Sequence, residues 1–124
     1  MSAHGFIEHN GKQVLVFDFS TPLPEEQAIA RVSDARQVVA DLAAKNPGIQ
    51  LLILTDVQDA QFSQPIVDAI KAMAKHNKPY ARKSAVVGLD AFKRIVVRLV
   101  ALFSGRDIRA MESRAQALAW LTTD

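Results

Sequence analysis

Two aspartates stand where apolar runs of the sequence end, and neighbouring carboxylates are groups that can do acid–base chemistry. Asp18 follows the run at 14–17, and Asp56 comes shortly after the run at 51–54. If both runs are strands of one parallel sheet, their carboxyl ends meet at the edge where such sheets bind ligands. Gly88, which ends a third apolar run, would share that rim as a candidate ligand-binding residue. Because aspartates at strand ends more often bond turn N–H groups, the sequence favours a turn role over catalysis.

Other residue types that could do chemistry are few and scattered. The chain has no cysteine, and its three histidines are His4, His9 and His76. On a strand, His4 and His9 would face opposite sides, because side chains alternate with a period of two. His76 lies near a predicted helix end, where positive charge is stabilised. We therefore expect no metal site, no cofactor and no catalytic constellation, which predicts that the protein is not an enzyme.

Ser63 is the remaining candidate for chemistry at a helix terminus. It precedes Pro65 and an apolar repeat at helical spacing that begins with Ile66. Serine is a preferred N-cap residue, and such a cap contributes about 1 kcal/mol of helix stability. Free backbone N–H groups and the helix dipole would also favour a phosphate there. From the residues alone, an ordinary cap is the default interpretation.

The charge is distributed unevenly along the chain. Residues 1–62 carry four Lys/Arg against eight Asp/Glu, whereas residues 63–124 carry eleven against five. Tyr80 is the only aromatic within the basic cluster at 75–83, and no nucleic-acid-binding motif appears, so we expect no nucleic-acid partner. The asymmetry favours pairing of the acidic half with the basic half, within one molecule or between two.

Residues 90–103 form the most unusual predicted helix. Its apolar positions span an arc of roughly 160° at 100° per residue. They are Phe92, Ile95, Val96, Leu99, Val100, Leu102 and Phe103. The charged residues Lys93, Arg94 and Arg98 are predicted on the opposite side.

Three interpretations of this helix compete. In the first it serves only the core, in the second it contributes to a homodimer interface, and in the third it lies over a pocket or membrane surface. We favour a core helix that also contributes Phe92, Val96, Val100 and Phe103 to a homodimer interface. No uncharged stretch approaches the roughly 20 apolar residues needed to cross a bilayer, so we expect no stable membrane insertion.

The surrounding elements predict an α/β domain. Apolar runs near 6–9, 13–19, 49–55, 82–87 and 108–110 predict five strands, and helical periodicity after each of the last four predicts four helices. Asn10-Gly11 predicts a type I′ turn in an N-terminal β-hairpin. Strands alternating with helices predict a mixed, mainly parallel five-stranded sheet with one antiparallel edge. At 124 residues, the chain has the length of one domain, which we place at 1–124.

Five segments, in order, carry a family resemblance that covers nearly the whole chain. They are residues 52–57, 74–80, 85–89, 103–106 and 117–121. On these segments the chain resembles the STAS-like domains, which share the SpoIIAA-like fold of the sporulation anti-sigma-factor antagonist. It is most similar to small uncharacterised bacterial proteins of the STAS/SEC14-type group.

The resemblance adds a candidate modification site. In the antagonist, a partner kinase phosphorylates a serine in an Asp-Ser-Ser-Gly-like turn at a helix N-terminus. The equivalent turn here spans 59–64 and places Ser63 at that position, with Gln61 for the aspartate and Gln64 for the glycine. The resemblance therefore implies Ser63 as a candidate phospho-acceptor and a kinase or other regulatory protein as a partner.

Together these features predict a non-enzymatic binding or regulatory domain that acts through protein–protein interaction as a homodimer. The alternative, which the SEC14 side of the resemblance implies, is a carrier or sensor of a small apolar or lipid-like ligand. The N-terminus lacks the layout of a signal peptide, and the absence of cysteine fits a reducing compartment. We therefore expect a cytoplasmic location.

Overall fold

The computed structural model describes residues 4–123. In that part of the chain, five strands alternate with helices after an opening hairpin. The strands are β1 (Gly5–His9), β2 (Lys12–Asp18), β3 (Leu51–Asp56), β4 (Ala81–Val87) and β5 (Ile108–Ala110). The helices are α1 (Glu25–Lys45), α2 (Gln64–Asn77), α3 (Ala91–Ser104) and α4 (Arg114–Leu121), and a 3₁₀ turn, Lys78–Tyr80, leads into β4.

The strands pair in the order of the sequence, β1-β2-β3-β4-β5. β1 is antiparallel to β2, and all other neighbours are parallel. At the hairpin, Asn10 and Gly11 have φ angles of 52° and 76°, the left-handed values that a type I′ turn requires. The predicted fold class, with its mixed sheet, N-terminal hairpin and four helices, is confirmed.

The helices divide unequally between the two faces of the sheet. β2 to β5 are added in one direction, so right-handed crossovers place α1, α2 and α3 on the same face. There Leu15, Phe17 and Ile53 are buried against Val32 and Val39 of α1. α4 alone covers the other face, where its apolar residues join a buried cluster that contains Val14, Val16, Leu54, Ala85, Val87, Ala117, Leu118 and Leu121.

Backbone hydrogen bonds determine where α1 and β3 begin. α1 begins at Glu25, and Pro24 is the flanking residue whose carbonyl accepts the Ala28 N–H at 2.9 Å. β3 begins at Leu51 rather than Ile49, because the Ile49 N–H bonds the Asn46 carbonyl in a turn. The turn before β3 therefore uses a backbone N–H that the apolar pattern had assigned to the strand.

Candidate functional site

The two candidate aspartates are neighbours at the carboxyl ends of β2 and β3. Asp18 and Asp56 occupy partner positions in the parallel register, as the sequence predicted. Asp18 Oδ1 accepts the Ser20 backbone N–H at 2.9 Å and the Ser20 hydroxyl, and these bonds lower the pKa of Asp18, the hydroxyl most. Asp56 Oδ1 likewise accepts the Gln58 N–H at 2.9 Å. Both carboxylates therefore close turns, the alternative that the sequence favoured.

Gly88 lies on the same rim and has a steric role. Its φ of 81° is in the left-handed region, and a Cβ there would lie 2.5 Å from the Gln58 nitrogen. Only glycine permits this close approach of the loop after β3. The open groove beside it has a volume of about 440 Å³ and mixes both charges, from Asp56, Asp59, Asp90 and Glu112 to Lys93, Arg94 and Arg114.

Ser63 is the N-cap of α2, as predicted. Its hydroxyl oxygen accepts a hydrogen bond from the Ile66 N–H, with 3.4 Å between Oγ and N. The same hydroxyl donates a hydrogen bond to the Glu25 carboxylate of α1. A phosphate on Ser63 would meet this carboxylate, and the repulsion would oppose the favourable field of the helix N-terminus. Phosphorylation of Ser63 would therefore disturb the contact between α1 and α2.

An apolar cavity of about 60 Å³ lies between the sheet and the pair of helices α2 and α3. The sheet lines it with Phe17, Ile53 and Val86, among others. Met73 and Ala74 of α2 and Val96, Val97 and Val100 of α3 close it from above. Its wall is mostly hydrocarbon, with four polar exceptions: Thr55, Asn77, Ser84 and Arg106.

Arg106 is the cation of this cavity. It follows Gly105, the left-handed C-cap of α3, which turns the chain back toward the sheet. Its guanidinium donates to the Ala74 carbonyl at 3.4 Å and to the Ser84 hydroxyl. Burial lowers the pKa of Arg106 to about 10, and no Asp or Glu in residues 4–123 forms a salt bridge with it. The guanidinium is thus partly desolvated, on a half-buried residue, and has no salt-bridge partner among the described residues.

Asn77, the last residue of α2, is completely buried. Its Oδ1 is paired with His76 Nδ1 at 2.8 Å, but its Nδ2 has no hydrogen-bond partner. Buried amide N–H groups are nearly always paired, because an unpaired one costs about 1–3 kcal/mol. The cavity therefore contains two kinds of donor, a guanidinium and an amide, with spare capacity.

The apolar arc of α3 divides between the interior and the surface. Val96 and Val100 are only 6% and 4% exposed and pack against Ala74, so their prediction as interface residues is wrong. Lys93 is also buried, with its Nζ donating to the Val57 carbonyl at 2.8 Å, rather than solvated with Arg94 and Arg98. The reason is that positions 93, 96 and 100 follow one stripe of the helix, and this stripe faces the sheet.

The outer face of α3 exposes five large apolar side chains, which we call the α3 ridge. They are Phe92 (58% exposed), Ile95 (57%), Leu99 (52%), Leu102 (74%) and Phe103 (55%). Phe92 and Phe103, the other two predicted interface residues, are therefore at the surface. The first four repeat at intervals of three, four and three residues, which is the spacing of a helix–helix seam.

Cations border the ridge. The Nζ atoms of Lys71 and Lys75 lie 5.3 and 5.7 Å from the centre of the Phe103 ring. Arg94 and Arg98 are exposed on α3 itself. The ridge is thus an apolar strip in a basic surrounding.

The sequence matches the family model described as SpoIIAA-like over residues 14–122. This chain belongs to the SpoIIAA-like family. A similar solved structure is that of an uncharacterised protein of the DUF3478 family, with a SpoIIAA-like fold, from Shewanella loihica. It is 20% identical, with a TM-score of 0.70 over 96% of this chain and 92% of that chain, which shows the shared fold. A search of curated proteins finds no match.

Two further observations bear on the predicted absences. In the part of the chain that the structure describes, no helix is long and apolar enough to span a membrane. Within residues 4–123, no three His, Asp or Glu side chains lie together in a way that could hold a metal ion.

The polar groups of the cavity were not predicted from the sequence. In the sequence, Arg106 and Asn77 lie within segments 103–106 and 74–80, which carried only the family resemblance. A usable signal existed for Arg106, since it directly follows the helix-ending Gly105 and precedes a short strand. A residue in such a tight connection is directed back toward the sheet.

Proposed function

We propose that this SpoIIAA-like domain is a non-enzymatic interaction domain, and that its first partner is a second copy of the same chain. The observation that carries the proposal is the α3 ridge. With large side chains of roughly 200 Å² each, half-exposure of five residues leaves on the order of 500 Å² of apolar surface. A patch of this size is at the upper end for monomeric proteins and marks an interaction surface.

The spacing of the ridge supports a second copy as its occupant. Phe92, Ile95, Leu99 and Leu102 form a narrow seam, and a seam of this kind packs best against another helix with the same repeat. Two identical seams meet naturally around a two-fold axis, the commonest symmetry of homo-oligomers. The contact would cover side chains that the isolated chain leaves in water.

The absence of enzymatic activity is part of the proposal and has its own support. Asp18 and Asp56, the residues best placed for acid–base chemistry, each accept a hydrogen bond from a turn N–H. The lowered pKa of Asp18 keeps that carboxylate ionised at neutral pH, so it cannot act as a general acid there.

The dimer can be tested by sedimentation equilibrium of the wild type and of Leu102→Glu. Leu102 is the most exposed ridge residue, so the folded monomer should tolerate the change, whereas a dimer would bury the new charge. We expect a dimer at micromolar concentration and a dissociation constant about a hundredfold higher in the variant.

Phe6→Glu is the matched control. Among residues 4–123, Phe6 is the exposed large apolar residue outside the ridge, and its replacement should leave the dimer intact. A wild type that remains monomeric at about 100 µM would contradict the proposal, since two such patches would together bury on the order of 1,000 Å², about the minimum for a specific interface.

A regulatory protein or kinase is the second proposed partner, acting on Ser63. The supporting observation is the hydrogen bond from Ser63 to Glu25, because phosphorylation would replace an attraction between α1 and α2 with repulsion. The protein should gain one phosphate by intact mass when incubated with ATP and an extract of its own cells. Ser63→Ala should gain none, and an unmodified wild type would contradict the assignment.

The apolar cavity supports a second candidate function, that of a carrier or sensor of a small apolar or lipid-like ligand. Cavities lined by hydrocarbon with a few polar groups are typical of small-molecule sites. Native mass spectrometry of freshly purified protein tests this function. A bound small-molecule mass that organic extraction removes would support it, and a ligand-free mass would count against it.

A further inference from the structure

The guanidinium of Arg106 has no anionic partner among the described residues. A buried cation is normally balanced by an anion, because neutral hydrogen bonds recover only part of its lost hydration. Within residues 4–123, the Arg106 guanidinium bonds only a carbonyl and a hydroxyl, those of Ala74 and Ser84. A guanidinium has five N–H donors in a planar fork that matches a carboxylate.

Asn77 is an independent indication at the same cavity. It is completely buried, and its Nδ2 has no hydrogen-bond partner. An amide N–H₂ can only donate, so the group that completes this site must be an acceptor. Arg106 requires negative charge and Asn77 requires a lone pair, and a carboxylate supplies both.

The surroundings of Arg106 also offer a route for an anion. On its other side, Arg106 and Ser84 line an open pocket of about 200 Å³ between the end of α2 and the start of β4. Lys78, Arg82 and Lys83 line this pocket as well, against the single acidic residue Asp107. A concentration of positive charge of this kind attracts anions toward the buried guanidinium.

We infer that the cavity binds an amphiphilic carboxylate, with its hydrocarbon tail between the sheet and α3 and its carboxylate against Arg106 and Asn77. The inference rests on the carrier function proposed above and adds the chemical class of the ligand. A neutral apolar molecule would contact the hydrocarbon wall of the cavity but would leave Arg106 and Asn77 without a hydrogen-bond acceptor.

The size of the cavity indicates how such a ligand enters. Its volume of about 60 Å³ is well below the 300–1,000 Å³ of pockets that enclose a whole small-molecule ligand. A tail of several carbons must therefore displace α3 outward. Val96 and Val100 are the buried apolar residues that hold α3 on the sheet, and Lys93 adds a hydrogen bond to the Val57 carbonyl, whereas the ridge residues point to solvent. An outward shift of α3 therefore breaks few apolar contacts.

The test compares decanoate with decanol, which has the same tail and a neutral head group. Both are titrated below their aggregation limits and followed by calorimetry and by ¹H–¹⁵N spectra of the side chains. Decanoate should bind about tenfold or more tightly than decanol, because a charged hydrogen bond is added. It should also shift the Arg106 Nε signal, which decanol should leave in place, and the Asn77 amide signal, which any head group with an acceptor oxygen can shift.

Three variants locate the head-group site. Arg106→Met removes the cation, and Asn77→Asp places a competing carboxylate in the cavity. Each should weaken decanoate binding about tenfold or more and leave decanol binding unchanged. Arg109→Met is the matched control, since Arg109 is exposed on the neighbouring strand and should not affect either ligand.

The possible results of these measurements distinguish the carboxylate site from the carrier function on which it rests. Equal affinity for decanoate and decanol would overturn the head-group site and leave the carrier function standing. Binding of neither ligand would overturn both. Leu102→Glu should weaken the dimer about a hundredfold without changing the decanoate-induced shifts at Asn77 and Arg106. Loss of those shifts in that variant would place decanoate on the ridge and overturn the inference.

Discussion

The two faces of the sheet are built differently. On the α4 face, Val14, Leu54, Ala85 and Leu121 have no exposed surface, and they form one apolar cluster. On the opposite face, the space under α3 contains a cavity, a desolvated guanidinium and an amide nitrogen without a partner. α3 also exposes the five large apolar side chains of the ridge, whereas its fully buried apolar residues are Val96 and Val100.

The difference indicates where stability and function reside. Close packing gives the α4 face its contribution to stability, since every buried methylene is favourable. Cavities and unpaired polar groups are unfavourable, and natural proteins retain such features mainly where they bind something. The contrast can be tested by substitutions on each face.

The largest effect is expected on the α4 face. Leu121→Ala should lower the free energy of unfolding by about 3 kcal/mol, because it removes a completely buried side chain and leaves a new cavity. Urea denaturation measures this change. Leu102→Ala on the α3 ridge is the paired comparison, and at protein concentrations where the chain is monomeric it should stay within about 0.5 kcal/mol of the wild type. Similar losses at both positions would remove the proposed division of roles.

A change of opposite sign is expected at Arg106. Arg106→Met should raise the free energy of unfolding of the ligand-free protein by about 1 kcal/mol, because it replaces an unbalanced buried charge with a side chain of similar length. Thermal and urea denaturation measure the shift. A marked loss of stability would mean that the bonds to Ala74 and Ser84 serve the fold, which would weaken the case for a ligand site.

The smallest expected effect is a pH dependence of stability that arises on the face covered by α1, α2 and α3. His4 is buried, and its Nδ1 accepts the Asp18 N–H while its Nε2 donates to the Arg31 carbonyl. Burial lowers the pKa of His4 below its ordinary 6.5. Below pH 6.5 the unfolded chain therefore binds more protons than the folded one, and stability should fall as the pH drops from that value.

Unfolding midpoints between pH 5 and pH 7.5 measure this dependence. His4→Gln removes the titrating group, so its curve should be flatter than that of the wild type over the same range. A wild-type midpoint that is constant or rises on acidification would contradict the neutral, buried state of His4.

Much of the fold could be predicted because its signals are local. Asn10-Gly11 specifies the hairpin turn, and Ser63, Asp90 and Ser113 each cap the helix predicted to follow. The candidate site was less accessible. Periodicity placed all the apolar residues of α3 on one broad arc, but it could not say which part of that arc meets the sheet.

The sequence by itself determined the order of the elements, the parallel pairing and the meeting of Asp18 with Asp56, because backbone preferences and alternation depend on neighbouring residues. Only the tertiary structure decided that Lys93 and Val96 turn inward while Leu102 stays in water. The same holds for Arg106 and Asn77, which lie 29 positions apart in the sequence yet line one cavity. Whether a residue is buried depends on which other element packs on it. For α3, the short edge strand β5 limits how much of the helix the sheet can cover.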